Sequence, residues 1–147
     1  MEKNYEKQER YRELKAKLKK AMADEFWLEA CMIEYAIIED RTSSILFYSG
    51  VSKNAYDSNK KLSNKLNSIE LQIGKKHPVI SKKVAPEIIQ AIRDWKELRN
   101  QFVHKSCAMY DEEKAKVLAV KGKELVELIS NDSDKVRRLA EKLGRLE

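Results

Sequence analysis

Residues that interrupt helices are scarce in this chain, and the prolines are confined to one short segment. Only four glycines and two prolines occur among 147 residues, and both prolines lie in KKHPVISKKVAP, residues 75–86. Hydrophobic residues make up 42% of the sequence and charged residues 37%, which favours long amphipathic helices over strands joined by turns. The sequence therefore predicts an all-α fold, a compact bundle of five to six helices.

No feature of the sequence divides the chain into modules. It has no repeat with a period of about 20–50 residues, no low-complexity tract and no Gly/Ser-rich linker. A chain of 147 residues is also of single-domain size, so we expect one helical domain over residues 1–147. Residues 1–20, with a first helix at about Asn4 to Lys20, have few apolar positions. That helix either projects from the bundle or continues into the next one.

Apolar residues at helical spacing mark the remaining helices. The second helix, about Met22 to Tyr48, is the expected core helix, with Trp27, Cys31, Ile38 and Ile45 along one stripe. Glu34 and Arg41 fall inside that stripe, where a charged side chain needs a partner. Further helices are predicted at about Ala55–Ile73 (stopped by Gly74), Pro86–His104 and Asp111–Ser130, with a short one after Asp132 that carries Val136, Leu139, Leu143 and Leu146.

The sequence shows no apolar leader and no run of roughly 18 apolar residues that would cross a bilayer. Cys31 and Cys107 are too few for a disulfide framework and are expected to be small buried side chains. No Cys or His spacing indicates a metal site. These features predict a cytoplasmic protein that has no membrane contact, metal or other cofactor.

Positive charge is concentrated in the middle of the chain. Residues 51–105 hold 12 Lys and Arg against 5 Asp and Glu, within a net charge of +6 for the whole chain. If the partner is RNA, its backbone would be held by lysines of the 75–83 loop and of the third helix, and the candidate positions are Lys75, Lys76, Lys82, Lys83 and Lys105. The alternative is a solvated basic loop, with His77 as a solvated histidine.

The segment RDWKELRNQFVHK, residues 93–105, places an arginine in the middle of an apolar stripe. On a helical wheel Arg99 shares the face of Ile92, Trp95 and Phe102. Such an arginine is either buried against a carboxylate, for which Glu34 is the candidate, or displayed on a surface shared with a partner. Like Trp27, Trp95 is expected to be a packing residue.

His104 ends the same helix but lies about 140° around it from Arg99, so the two side chains do not share a face. Asn100 is four residues before His104 and can reach its ring. A two-fold dimer packed along this helix would bring a second copy of each residue to the same cleft. A homodimer is therefore expected if the two residues act together.

Arg99 and His104 carry the chemistry that cleavage of a phosphodiester requires. A guanidinium binds phosphate through two N–H groups, and a histidine can transfer protons near neutral pH. In RNA the neighbouring 2′-hydroxyl can serve as the nucleophile, so these two side chains could suffice without a metal.

Arg99-Asn100-Gln101-Phe102-Val103-His104 resembles the R-N-x-x-x-H form of the R-x(4–6)-H motif of the HEPN superfamily. The resemblance implies a small HEPN-like helical bundle, a dimer with a composite cleft, and metal-independent RNA cleavage by Arg99 and His104, with Asn100 as the accompanying polar residue. It also implies a role in a toxin, phage-defence or stress system, with an antitoxin or regulatory protein as partner. In some toxin members a modified tyrosine follows two residues after the histidine. Here that position is Ser106, and the next tyrosine is Tyr110.

Two other functions fit the same residues. The chain could be a non-catalytic helical interaction module, or HEPN-like scaffold, in which Arg99 pairs with Glu34 and His104 interacts with the helix dipole. It could instead bind nucleic acid without cleaving it, although it carries no aromatic-basic RNA-binding motif.

Overall fold

Helices make up all of the regular structure that the computed structural model describes, which covers residues 2–57 and 60–144, with side chains from residue 6 onward. The helices are α1 (Glu2–Ala23), α2 (Trp27–Tyr48), α3 (Leu62–Gly74), α4 (Ile80–Lys83), α5 (Pro86–Lys105) and α6 (Glu112–Lys142), with one turn of 3₁₀ helix at Lys53–Ala55. The predicted all-α class is confirmed. Within the described ranges, no helix combines the length and apolar character needed to cross a membrane.

A sharp turn separates α1 from α2, so the first helix does not continue into the second. Glu25 has a φ of 62°, a left-handed conformation that a helix cannot pass through. The backbone N–H of Phe26 then donates to the oxygen of Ala21 at 2.8 Å. In α1 the first buried side chains are Leu18 and Ala21, since residues 6–17 bury none.

The last helix is longer than predicted. The two helices expected at about Asp111–Ser130 and after Asp132 form one continuous helix, α6. Its apolar stripe passes through the supposed break, because Ile129 and Val136 are both fully buried and Asp132 between them is only 6% exposed. Burial raises the pKa of the Asp132 carboxyl, and Lys135 has a smaller opposing effect. Leu146, the last residue of the predicted stripe, lies outside the described residues.

The basic loop between α3 and α5 is more ordered than predicted. Gly74 is the last residue of α3 rather than its stop, and Lys76 two residues later takes the left-handed conformation, with a φ of 57°. The loop also contains the short helix α4, and Val79, Ile80 and Val84 are buried. This lysine-rich segment therefore contributes three residues to the core.

His77 is held through both of its ring nitrogens. Nε2 lies 3.0 Å from the backbone oxygen of Ser49, and Nδ1 accepts from the backbone N–H groups of Val79 and Ile80 at 3.1 and 3.3 Å. These contacts require a neutral ring with its proton on Nε2, because a protonated Nδ1 cannot accept. The prediction of a solvated loop histidine was wrong.

The helices are divided between two compact units. Unit 1 comprises Met1–Ile37 and Trp95–Lys123, and unit 2 comprises Ile38–Asp94 and Glu124–Glu147. Unit 1 buries Leu18, Trp27, Ala30, Cys31, Trp95, Ala115 and Ala119. Unit 2 buries Ile38, Ile45, Leu46, Leu62, Leu66, Ile69, Ile80, Ile89, Ile92, Leu125 and Ile129. The single domain over residues 1–147 stays a prediction.

Replacing His77 by alanine would leave the carbonyl of Ser49 and two backbone N–H groups without their partner. We expect the free energy of unfolding to fall by about 1–3 kcal/mol, measured by urea denaturation. Lys82→Ala, exposed in the same loop, is the control and should change it by less than about 0.5 kcal/mol. Equal effects of the two substitutions would contradict the role given to His77.

Candidate functional site

Trp95 fixes the orientation of the α5 face that carries the motif. Its side chain is 2% exposed, and its indole N–H donates a 2.8 Å hydrogen bond to the backbone oxygen of Leu118 in α6. The apolar ring is thus removed from water, and the hydrogen bond provides a partner for its polar nitrogen. Arg99 follows one helical turn later on the same face. The prediction that Trp27 and Trp95 are packing residues is confirmed, since both are buried.

Gly122 allows α6 to approach this junction closely. A Cβ atom at Gly122 would meet Oε1 of Glu34 and lie 2.7 Å from both Cδ of Glu34 and Cζ2 of Trp95, too close for either contact. Glycine costs a helix about 1 kcal/mol relative to alanine. Its place here is explained by the space that it leaves for the Glu34 side chain.

Glu34 carries a buried carboxyl group that no described residue hydrogen-bonds. The residue is fully buried, and neither carboxyl oxygen has a hydrogen-bond partner in the described part of the chain. Burial raises the pKa of this carboxyl from an ordinary value of 4.5 to about 9, and Lys123 has a smaller opposing effect. Glu34 is therefore neutral at pH 7, because the cost of burying an unpaired charge exceeds the cost of retaining the proton.

The Glu34–Arg99 ion pair, one of the two arrangements predicted for Arg99, does not form. The helical wheel correctly placed Glu34 on the buried face of α2, but both of its oxygens lack a partner. The second charged residue on that face, Arg41, pairs with its neighbour Asp40. A neutral carboxyl removes the need for a cationic partner, which was the reason for considering a Glu34–Arg99 pair.

Arg99 is held instead by uncharged groups. Its Cζ lies 4.4 Å from the centre of the Tyr35 ring, and its Nη1 donates a 2.9 Å hydrogen bond to Oδ1 of Asn100. The residue is half-buried, and its Nε is buried without a partner. Within the described part of the chain, no carboxylate forms an ion pair with Arg99, so none of these residues neutralises its positive charge.

His104 stands apart from the other two motif residues. It lies in the last turn of α5 and is exposed, and in the described chain its ring forms no hydrogen bond. Asn100, which was expected to reach His104, contacts Arg99 instead. One copy of the chain therefore brings Arg99 and Asn100 together and leaves His104 open to solvent.

The five candidate RNA-binding lysines are all exposed. Lys105 is the last residue of α5, whereas the other four lie in unit 2, and they are Lys75, Lys76, Lys82 and Lys83. Of the two cysteines, Cys31 is buried as predicted and Cys107 is exposed, contrary to the prediction. Cys107 follows the end of α5 by two residues, where the chain has left the packed face.

Tyr35 is a site residue that helical spacing did not identify. It follows Glu34 on α2 and is half-buried. Helical spacing shows which residues of α2 share a face, but not which side chain of α5 meets them. The available signal was an aromatic residue next to a charged residue on the core helix, which is too common to single out this position.

Comparison with protein-family models, curated protein sequences and solved structures finds no match to this chain. Among the described residues, no group of three or more His, Cys, Asp or Glu side chains is arranged to hold a metal ion. The candidate site therefore consists of Arg99, Asn100 and His104, with Tyr35 and Glu34 beside them.

The raised pKa of Glu34 predicts a stability that falls as the pH rises. Between about pH 4.5 and 9 the unfolded chain has released this proton and the folded chain still holds it. The free energy of unfolding should therefore decrease by up to about 1.4 kcal/mol per pH unit. Glu34→Gln removes this contribution, and its curve should be flatter than that of the wild type.

Urea denaturation at several pH values within this window measures the difference between the two slopes. Glu29→Gln, an exposed glutamate on the same helix, is the matched control and should follow the wild-type curve. Parallel curves for the wild type and Glu34→Gln would show that Glu34 ionises normally in the folded protein.

Proposed function

We propose that this chain is a metal-independent endoribonuclease that acts as a homodimer. The observation that supports this most is the state of Arg99: its guanidinium is held by Tyr35 and Asn100 and is paired with no described carboxylate. An arginine that no described carboxylate pairs with can bind a phosphate through two N–H groups. The sequence motif adds an exposed histidine at the end of the same helix.

In the proposed reaction, His104 removes the proton of a 2′-hydroxyl group, and the 2′-oxygen attacks the adjacent phosphorus. The bond from phosphorus to the 5′-oxygen breaks, and that oxygen takes a proton from a second histidine or from water. The products are a 2′,3′-cyclic phosphate and a 5′-hydroxyl. Arg99 stabilises the charge on the phosphate oxygens in the transition state, and Asn100 orients Arg99.

A dimer resolves the geometric difficulty of the motif. Since Arg99 and His104 are about 140° apart on α5, one chain does not direct both side chains at the same phosphate. Two-fold packing along α5 would place His104 of a second copy opposite Arg99. The exposed lysines Lys75, Lys76, Lys82, Lys83 and Lys105 would contact the RNA backbone and make binding sensitive to salt.

The motif also underlies the proposed biological setting, a toxin, phage-defence or stress system. A ribonuclease of this kind needs control by an antitoxin or regulatory protein. Ser106 occupies the place of the tyrosine that some HEPN toxins carry, so the proposed partner would act by binding rather than by modifying that position.

Labelled single-stranded RNA incubated with purified protein in EDTA tests the proposal. We expect the wild type to cleave the RNA and Arg99→Ala and His104→Ala to be slower by at least about 100-fold. Gln101→Ala, exposed between the two residues, is the matched control and should retain activity. Intact RNA with all four proteins, or equal cleavage by all four, would contradict the proposal.

The solution mass of the same preparations tests the composite cleft. We expect twice the chain mass of 17.2 kDa for the wild type and for both inactive variants. An active protein that is a monomer at assay concentrations would contradict the dimeric site and leave cleavage to a single chain.

A further inference from the structure

Tyr35 and Arg99 form a close cation–π contact between α2 and α5. The Cζ atom of Arg99 lies 4.4 Å from the centre of the ring, well inside the distance of about 6 Å at which such contacts stabilise a cation. By comparison, the Nζ atom of Lys116 is 5.9 Å from the ring of Trp27. The guanidinium is therefore in contact with the ring rather than merely near it.

The remaining contacts of Arg99 define which parts of the guanidinium are available. Nη1 donates to Oδ1 of Asn100, and Nε is buried without a hydrogen bond. Nη2 forms no hydrogen bond within the described residues. Tyr35 contacts one face of the guanidinium and Asn100 accepts from Nη1, so the N–H groups of Nη2 remain as donors for an anion.

The groups around Arg99 restrain it without neutralising it. The pKa of the Cys31 thiol is raised to about 12, chiefly by burial. Glu34 raises this pKa further, and Arg99 lowers it. Glu34 and Arg99 thus lie in the same neighbourhood, yet they form no pair. A carboxylate partner would fix the arginine but compete with a phosphate, whereas an aromatic ring and an amide fix it and leave its charge available.

We propose that Tyr35 is a positioning residue of the ribonuclease site, whose ring holds the Arg99 guanidinium in the orientation that receives the scissile phosphodiester. The inference rests on the proposed function. The face of the Tyr35 ring that contacts Arg99 is not available to an RNA base. It acts through the arginine and touches no reacting atom.

Two substitutions separate the ring from the rest of the side chain. Tyr35→Phe retains the aromatic face, while Tyr35→Leu retains apolar bulk and loses the cation–π contact. We expect kcat/KM for RNA within about twofold of wild type for Tyr35→Phe and about tenfold lower for Tyr35→Leu. Thermal unfolding of both variants identifies any loss that arises from misfolding.

A second readout does not depend on catalysis. Rotation of the Arg99 guanidinium about its Cζ–Nε bond, measured by ¹⁵N NMR, should be slow in the wild type and Tyr35→Phe and faster in Tyr35→Leu. If the wild type cleaves RNA and the Phe and Leu variants match it in both readouts, the role of Tyr35 is overturned and the proposed function stands. If the wild type leaves RNA intact, the proposed function fails and this inference with it, even where the NMR shows that Tyr35 holds Arg99.

Discussion

A buried carboxyl group that retains its proton organises the junction of α2, α5 and α6. Glu34 fills the space beside Gly122, with Trp95 against the same glycine. An ionised carboxylate there would cost several kcal/mol unless it captured a cation. Because burial raises its pKa to about 9, Glu34 is neutral at pH 7. It can therefore pack in the junction without a counter-ion.

The neutrality of Glu34 determines what Arg99 can do. An arginine one turn from Trp95 would be expected to pair with a nearby glutamate, and such a pair would be a structural feature of the bundle. Instead, Arg99 lies over Tyr35 and donates to Asn100. Its charge is held in place by neutral groups, an arrangement that is compatible with the phosphate binding proposed for it.

Helical spacing predicted the fold class and the burial of particular residues, but not their partners. It placed Trp95, Cys31 and Glu34 on buried faces, and all three are buried. The partner of Arg99 depends on how α2 and α5 pack, which a wheel for one helix does not contain. The ionisation of Glu34 depends in turn on that packing, so the ion pair considered as one alternative does not form although both faces were assigned correctly.

The same limit explains the errors outside the site. Asp132 reads as a helix start because aspartate caps helices, yet the apolar spacing on either side continues and burial raises its pKa. His77 reads as a solvated residue because lysines surround it, and only the fold brings the backbone of Ser49 within hydrogen-bond distance. In both cases the role of a polar residue depends on its surroundings in the folded protein, which its neighbours in the sequence do not reveal.

The protonation of Glu34 in the folded protein can be measured directly. The ¹³C chemical shift of its side-chain carboxyl, followed by NMR from about pH 4 to about pH 10, reports that one group. We expect a protonated carboxyl at pH 7 and a titration midpoint near 9. A midpoint near the ordinary value of 4.5 would mean that Glu34 is charged at neutral pH, and it would contradict the proposal that the Arg99 charge is left free for a phosphate.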